Sequence, residues 1–225
     1  MGTIDRALSP GLYAITDNLL TPPDRLITSV EAALRGGAVL VQYRDKTSTA
    51  IERLRQATDL NYLCLDAGVP LLINDDPELA RRVGAAGVHL GQDDAALEIA
   101  RDLLGPDAII GITCHHRLDL AETAKAGGAN YLAFGRFYTS TTKPGAPSAD
   151  LSVLTEAKSL ALPVTAIGGI TTDNAEPLIR AGADLIAVVG GLFGGTPEQI
   201  EHNARRFTRL FASHHPLSQF STNRS

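Results

Sequence analysis

Eight short apolar runs alternate along the chain with longer segments of helical periodicity. The runs are residues 11–16, 38–44, 70–74, 87–91, 108–113, 131–135, 163–168 and 185–190. The helical segments are residues 24–35, 49–66, 77–84, 94–104, 118–126, 151–160, 173–181 and 197–212. Strands that alternate with helices predict a parallel sheet. Eight such units predict a single (β/α)8 TIM barrel of the α/β class; a doubly wound sheet is the alternative, although it more often has five or six strands.

Small residues close five of the helical segments before the next strand begins. They lie at residues 36–38, 67–68, 85–87, 126–129 and 181–183. Glycine at a helix C-terminus readily adopts the left-handed conformation that ends the helix. These positions therefore predict where the chain turns back towards the sheet.

The chain has 225 residues, of which 44% are hydrophobic, enough for one core. We predict one barrel domain over residues 1–213 and a disordered polar tail over residues 214–225. Cys64 and Cys114 lack metal-ligand spacing and suit small buried residues.

The net charge of −5 argues against a broad nucleic-acid-binding surface. The N-terminus has no basic-then-apolar signal, and no run reaches about 18 apolar residues, so we expect no membrane partner. The absence of both features predicts a cytoplasmic protein. The sequence leaves the oligomeric state open, including a homo-oligomer.

Acidic residues follow two neighbouring predicted strands. Asn74, Asp75 and Asp76 end the third, and Asp93 and Asp94 follow the fourth. In a barrel the carboxyl ends of the strands meet at one face, which carries the active site. Carboxylates that converge there suit Mg²⁺, which prefers oxygen ligands. The alternative is that each pair caps the helix that follows it.

Polar residues also end the second strand. With a period of two, Gln42, Arg44 and Lys46 lie on one side of it. A guanidinium and an ammonium at one mouth suit an anion with several oxygens, such as a diphosphate. A structural layer of salt bridges inside the barrel is the alternative.

Two further segments suit a phosphorylated ligand. The loop 136–150 contains hydroxyls and Lys143 and could close as a lid, or be an ordinary surface loop. Glycines follow strands 7 and 8 at 168–169 and 190–191, where this fold often binds phosphate, although they could serve tight turns alone. The sequence shows no nucleophile elbow, and His115 and His116 give no strong indication of a catalytic base.

Taken together, these motifs resemble the thiamine-phosphate synthase family. The resemblance covers about residues 11–195 and is carried by QYRDK at 42–46, NDD at 74–76, GVHLGQDD at 87–94, TSTTK at 139–143 and IGGI at 167–170. It implies a transferase that joins 4-amino-2-methyl-5-(diphosphooxymethyl)pyrimidine to 4-methyl-5-(2-phosphooxyethyl)thiazole. The products would be thiamine phosphate and diphosphate, with Mg²⁺ as cofactor and a pyrimidine cation as the intermediate.

The resemblance also implies a set of site residues. It places the pyrimidine diphosphate at Gln42, Tyr43, Arg44, Asp45, Lys46, Asn74, Thr113 and Lys143, with Arg44, Lys46, Lys143 and Thr113 as catalytic residues. It places the thiazole phosphate at Ser140, Thr141, Thr142, Gly169, Val189 and Gly190, and Mg²⁺ at Asp75 and Asp94.

The chain departs from the family pattern mainly on the thiazole-phosphate side. The family loop GPxYPTxTK reads GRFYTSTTK here, so Arg136 and Thr139 replace prolines and Ser140 replaces a threonine. Gly190 stands where the family usually has serine, and Thr113 where it often has serine. We expect a looser lid and weaker affinity for the thiazole phosphate.

Three other functions remain open from the sequence. A thiazole tautomerase of the same superfamily would not need the whole diphosphate and Mg²⁺ set. A non-catalytic phosphate-ligand sensor would bind without releasing diphosphate. A phosphosugar isomerase would need an acid/base pair that the sequence does not offer.

Overall fold

The computed structural model describes residues 8–92, 94–139 and 149–216, without the side chains of residues 94–96. Eight parallel strands form a closed barrel in which each strand pairs with the next and β8 pairs with β1. The strands are β1 (Gly11–Ile15), β2 (Ala38–Tyr43), β3 (Leu71–Asn74), β4 (Gly87–Leu90), β5 (Ile109–His115), β6 (Tyr131–Gly135), β7 (Val164–Ile167) and β8 (Leu185–Val188). The predicted (β/α)8 barrel is confirmed.

Helices follow the strands around the outside. They are α1 (Leu26–Arg35), α2 (Ala50–Asp66), α3 (Pro77–Val83), α4 (Asp94–Leu104), α5 (Leu118–Ala126), α6 (Ser152–Ala157), α7 (Glu176–Arg180), α8 (Gly190–Phe193) and α9 (Pro197–His214). A 3₁₀ turn at Lys158–Leu160 continues α6. The short helix α8 was not predicted, because its four residues are too few to show helical periodicity.

The local sequence explains where several helices begin. Thr49 caps α2 by accepting from the backbone N–H of Glu52, whose side chain accepts from the N–H of Thr49 in return. Thr196 and Gln199 make the same reciprocal pair at the start of α9. Each cap satisfies N–H groups that have no partner within the helix.

Left-handed glycines end the helices at four of the five predicted sites, namely Gly37, Gly68, Gly128 and Gly182. The prediction for residues 85–87 was wrong in position. The left-handed residue there is Gly84, at φ 69°, directly after α3. Helix α3 therefore ends one residue earlier than expected.

The strands of the barrel separate two clusters of buried hydrophobic residues, one inside the barrel and one outside it. Tyr13, Leu40, Leu72, Tyr131 and Leu185 belong to the cluster that fills its interior. A larger cluster lies between the strands and the helices. Both cysteines are buried free thiols, as predicted.

An ion cluster around the buried Asp184 lies at the end of the barrel opposite the carboxyl ends of its strands. Asp184 precedes β8, and both its carboxylate oxygens lie 2.8 Å from Lys158 Nζ. His215 Nε2 lies 3.3 Å from Asp184 and is 4% exposed. Helix α9 thus continues through His214 into the segment predicted as tail, of which residues 217–225 lie outside the described part.

No helix among the described residues has the length and apolar character needed to cross a membrane.

Candidate active site

The segment after β1 holds the end of β2. The Thr16 hydroxyl accepts from the backbone N–H of Arg44 at 2.9 Å and donates to its carbonyl oxygen at 3.3 Å. Asn18 Oδ1 accepts from the backbone N–H of Lys46 at 3.1 Å. The Asp17 carboxylate lies 3.5 Å from the Arg44 guanidinium. These contacts fix the backbone from which both cations project.

Each of the two cations lies beside a carboxylate at the mouth of the barrel. Lys46 Nζ is 3.4 Å from Asp75 Oδ2, and the two side chains are 59% and 49% exposed. Exposed ion pairs contribute little stability, so Lys46 can turn towards a bound anion at low cost. The structure therefore brings Arg44, Lys46 and Asp75 together at one edge of the barrel.

The end of β3 directs Asp75 into this group. Asn74 Nδ2 donates to Asp75 Oδ2 at 2.7 Å, and the backbone N–H of Asp75 donates to the carbonyl oxygen of His89 at 2.9 Å. Asp75 has a φ of 58°, a left-handed conformation that aspartate adopts more readily than most residues. Such outliers cluster at functional sites.

The adjacent Asp76 has a different role. It is the N-cap of α3, and its Oδ1 accepts from the backbone N–H of Leu79 at 2.9 Å. Its Oδ2 accepts from Arg53 at 2.9 Å. Both carboxylate oxygens are committed to the helix and to Arg53, so the capping alternative describes Asp76.

The donors at this edge suit a hard cation. Asp75 offers a half-exposed carboxylate, and α4 begins at Asp94 just after β4. Asp93 and the Asp94 side chain lie outside the described residues. Among the residues that are described, no three or more His, Cys, Asp or Glu side chains form a cluster. A Mg²⁺ site can consist of one or two carboxylates with waters and substrate phosphate oxygens.

Tyr43 and Asp45 point away from the other predicted ligands. The Tyr43 side chain packs in the layer between barrel and helices, and its hydroxyl donates to Gln56 Oε1 at 3.0 Å. Asp45 accepts from the backbone N–H groups of Thr47 and Ser48 at 2.9 Å. Burial alone would raise the pKa of Asp45, but these hydrogen bonds outweigh burial and bring the pKa down to about 2. Both side chains stabilise the loop after β2.

A chain of hydrogen bonds crosses the barrel interior beneath the mouth. Gln42 Nε2 donates to the Tyr13 hydroxyl, which lies 2.9 Å from the Tyr131 hydroxyl. The Tyr131 hydroxyl is 2.8 Å from His89 Nδ1, and His89 Nε2 is 2.9 Å from the Thr113 hydroxyl. The chain connects two predicted substrate ligands, Gln42 and Thr113, through three residues that were not predicted.

These interior groups are uncharged at neutral pH. Burial lowers the pKa of His89 to about 4, although the Asp75 carboxylate opposes the shift. Burial also raises the pKa of Tyr13 and that of Tyr131 above the ordinary value for tyrosine. The fixed charges therefore lie at the rim and neutral hydrogen-bonding groups lie below it.

The base of the loop after β6 is attached to the end of β7. The backbone N–H of Tyr138 donates to the carbonyl oxygen of Gly168 at 3.0 Å. The backbone N–H of Ala149 donates to the carbonyl oxygen of Arg136 at 2.7 Å. The predicted ligands between these anchors lie outside the described residues; they are Ser140, Thr141, Thr142 and Lys143.

The remaining predicted ligands follow β7 and β8. Gly169 has a φ of 65°, and a Cβ there would lie 2.5 Å from the carbonyl oxygen of Thr139. Only glycine allows this approach. Val189 precedes α8, and Gly190 is its first residue. A Cβ on Gly190 would meet Leu20 at 3.8 Å, an ordinary contact.

The sequence contained partial signals for the residues that were missed. Thr16, Asp17 and Asn18 follow β1 just as the predicted ligands follow β2 and β3. His89 is a polar residue inside a short buried strand, which is unusual in a parallel barrel.

A closed (β/α)8 barrel with cations and a carboxylate at the carboxyl ends of its strands has the organisation of a barrel enzyme. Comparisons with known proteins narrow this class. A profile of the thiamine monophosphate synthase family matches residues 12–192. A thiamine-phosphate synthase from Marinobacter nauticus is 72% identical over 221 residues, which are 98% of this chain and 100% of that protein.

Two solved structures of thiamine phosphate pyrophosphorylases have the same fold as this chain. A thiamine phosphate pyrophosphorylase from Pyrococcus furiosus matches with a TM-score of 0.80 and 31% identity, covering 90% of this chain and 96% of that one. Another, from Bacteroides thetaiotaomicron, shares the fold with a TM-score of 0.63 and 17% identity, over 91% and 99% of the two chains. The chain belongs to the thiamine-phosphate synthase family and is a transferase of thiamine biosynthesis, which confirms the resemblance seen in its sequence.

Proposed function

We propose that the protein catalyses the Mg²⁺-dependent condensation of 4-amino-2-methyl-5-(diphosphooxymethyl)pyrimidine with 4-methyl-5-(2-phosphooxyethyl)thiazole. The observation that carries the proposal is the grouping of Arg44, Lys46 and Asp75 at the barrel mouth of a chain from this family. The side chains of Arg44 and Lys46 suit the negative charge of a diphosphate, and the Asp75 carboxylate suits the Mg²⁺ that would accompany it.

The pyrimidine diphosphate would lie against the end of β2. Arg44 and Lys46 project from a backbone that Thr16 and Asn18 fix, so they would be oriented before the substrate binds. Lys143, from the loop after β6, would add a third cation. Preorganised cations stabilise negative charge that develops on a leaving group.

Asp75 and Asp94 would hold Mg²⁺, which when bound supplies positive charge to the diphosphate oxygens. The side chain of Asn74 would help to orient Asp75 through their 2.7 Å contact. The exposed position of Asp75 leaves room for water and phosphate oxygens around it.

The reaction requires no protein nucleophile. The bond between the pyrimidine methylene carbon and the diphosphate oxygen breaks, and its electron pair leaves with diphosphate. The thiazole nitrogen then donates its lone pair to the methylene cation, which the electron-rich aminopyrimidine stabilises. No proton is transferred, so the task of the protein is positioning and charge stabilisation. An electron-withdrawing group on the pyrimidine should slow turnover; an unchanged rate would argue against the cation.

The thiazole phosphate would lie at the ends of β7 and β8. Gly169 allows the backbone to approach closely, and Val189 and Gly190 open a short helix beside it. The hydroxyls of Ser140, Thr141 and Thr142 would complete this side from the loop. Because Gly190 replaces a serine of the family pattern, one side-chain donor is missing.

The decisive experiment combines purified protein with both substrates and Mg²⁺ and measures thiamine phosphate, with EDTA as the control. Product that disappears with EDTA supports the synthase and its metal. Thiazole isomerisation without coupling would indicate a tautomerase, and ligand binding without diphosphate release would indicate a sensor.

The same assay tests the roles proposed for Lys143 and Asp75. We expect Lys143→Ala and Asp75→Ala each to lower the rate by about 10²–10³, the usual effect of removing one preorganised electrostatic contact. Near-wild-type turnover in either variant would remove the role assigned to that residue.

A further inference from the structure

The hydrogen-bond chain from Gln42 to Thr113 takes its direction from the orientation of the Gln42 side-chain amide. We propose that His89 is a positioning residue: its Nε2–H tautomer donates to Thr113, which leaves the Thr113 hydroxyl proton available for the bound pyrimidine diphosphate. The identity of that ligand rests on the proposed function. The tautomer of His89 in the free protein does not.

The direction begins at Gln42. Its amide Nε2 can only donate, so the Tyr13 oxygen accepts this hydrogen bond. The single Tyr13 proton then points to its other neighbour, the Tyr131 oxygen, at 2.9 Å. Tyr131 in turn donates its own proton to His89 Nδ1 at 2.8 Å. Each hydroxyl in the chain accepts on one side and donates on the other.

The hydrogen bonds of His89 and Thr113 continue in the same donor-to-acceptor direction towards the barrel mouth. Because His89 Nδ1 accepts, the neutral ring carries its proton on Nε2. Nε2 lies 2.9 Å from the Thr113 oxygen and donates to it. The Thr113 proton is therefore left for another acceptor. Anionic substrate oxygens are acceptors, so a hydroxyl held as a donor is matched to them.

The opposite direction would disable the site. If Gln42 presented its Oε1 to Tyr13, every proton in the chain could reverse. Thr113 would then donate to His89 Nε2 and offer only lone pairs to the substrate. Lone pairs facing a phosphate oxygen repel it, so the orientation of one buried amide decides how the distant hydroxyl acts.

The surroundings keep the chain in place. Gln42, Tyr13 and Tyr131 are 2%, 1% and 0% exposed, so water cannot easily replace a lost partner. The His89 ring stacks on Tyr131 with centroids 5.6 Å apart. A Cβ on Gly111 would lie 1.9 Å from the Tyr131 ring, so a glycine here makes room for that ring.

The first test reads the tautomer directly in the free protein. Imidazole ¹⁵N and attached-proton NMR of the wild type at neutral pH should show a proton on His89 Nε2 and none on Nδ1. The signal is assigned by its loss in His89→Gln. A proton on Nδ1, or on both nitrogens, would overturn the proposal. This measurement is made on the wild type and does not depend on the catalytic activity; His89→Gln serves only to assign the signal.

The second test asks whether His89 and Tyr131 act through Thr113. Tyr131→Phe keeps the ring and removes the hydroxyl that donates to Nδ1. We expect a rise of about 5-fold in the KM for the pyrimidine diphosphate, the effect of about one hydrogen bond, with the thiazole-phosphate KM unchanged. In a Thr113→Val background Tyr131→Phe should cause no further rise. A full additional rise there, or equal effects on both KM values, would show a purely structural role.

Conservative substitution of His89 gives a third readout. His89→Gln keeps a side-chain donor of similar reach, whereas His89→Met has similar length and no N–H. The pyrimidine-diphosphate KM should be lower in His89→Gln than in His89→Met, and equal values would contradict the proposal. If the wild type binds the pyrimidine diphosphate but makes no product, the proposed function fails, and the tautomer result stands by itself.

Discussion

Asp75 and Asp76 are adjacent carboxylates whose partners separate their roles. Asp75 is half exposed beside Lys46, whereas Asp76 caps α3 and binds Arg53. The left-handed backbone at Asp75 is one that asparagine also tolerates, so Asp75→Asn changes the charge with little added strain. Alanine would add backbone strain to the loss of charge.

We expect Asp75→Asn to lower kcat/KM by about 10²–10³ and to raise the Mg²⁺ concentration needed for half-maximal rate. Asp76→Asn should stay within about 3-fold of wild-type turnover, because asparagine also caps helices and a partly exposed ion pair contributes about 1 kcal/mol or less. Steady-state kinetics over a Mg²⁺ titration separate the two. Equal losses in both variants would contradict the division of roles.

Gly190 offers a gain-of-function test on the thiazole-phosphate side. The position has room for a side chain, since the nearest heavy atom to an added Cβ is 3.8 Å away. Gly190→Ser should lower the thiazole-phosphate KM by about 5-fold, because a hydroxyl can donate to the charged phosphate. Gly190→Ala adds the Cβ without the donor and is the matched control. An equal fall in KM for alanine would show that the hydroxyl is not responsible.

The loop after β1 and the end of β2 function as one element. Thr16 is 1% exposed and satisfies both backbone groups of Arg44. Thr16→Val keeps the side-chain shape but leaves a backbone N–H without its acceptor. We expect about 1–3 kcal/mol of lost unfolding free energy and a rise of several-fold, about 3–10, in the pyrimidine-diphosphate KM.

Thr165→Val is the control for this substitution. Thr165 is fully buried in β7, and its hydroxyl has no hydrogen-bond partner among the described residues. Valine there should leave both KM values unchanged and should not reduce stability. Chemical denaturation and steady-state kinetics measure both variants. A Thr16→Val protein with wild-type KM values would show that Arg44 is oriented by other contacts.

Elements and site residues differ in how far the sequence predicts them. All eight strands follow from local apolar runs, and the ends of β2 and β3 carry visible polar residues. Strand alternation separates Gln42, which lies inside the barrel, from Tyr43, which packs outside it against Gln56. The prediction of Tyr43 as a ligand came from motif resemblance, which marks a segment and not the direction of each side chain.

The interior hydrogen-bond chain depends on closure of the whole barrel. Tyr13 and Tyr131 are 118 residues apart, and their hydroxyls meet only because β1 and β6 face each other across the interior. No periodicity within one strand can indicate such a contact. The sequence could show that His89 was polar in a buried strand, but its two partners lie on β5 and β6.

At the opposite end of the barrel, Asp184 links the start of β7 to the segment after α9 through its contacts with the Val164 N–H and His215. Burial raises the pKa of this carboxyl, but hydrogen bonds from His215, Lys158 and the backbone N–H of Val164 outweigh burial and lower it overall. A carboxylate whose pKa is depressed by folding stabilises the protein above its unfolded pKa of about 3.9, and this contribution disappears as the pH falls through the folded value.

We therefore expect Asp184→Asn to reduce the free energy of unfolding by about 1–3 kcal/mol at neutral pH, since a buried carboxylate that accepts from Lys158, His215 and the Val164 N–H is lost while the half-exposed Lys158 stays solvated. The difference from wild type should shrink as the pH falls below about 4, because the unfolded wild type then binds a proton that the folded carboxylate, with its lowered pKa, does not yet bind. Urea unfolding between pH 3 and pH 7 measures this. Asp119→Asn, at an exposed carboxylate paired with Arg117, is the control and should leave the free energy of unfolding close to the wild-type value. A difference that is independent of pH would mean that Asp184 acts through shape and neutral hydrogen bonds, and that its charge does not hold the C-terminal helix to the barrel.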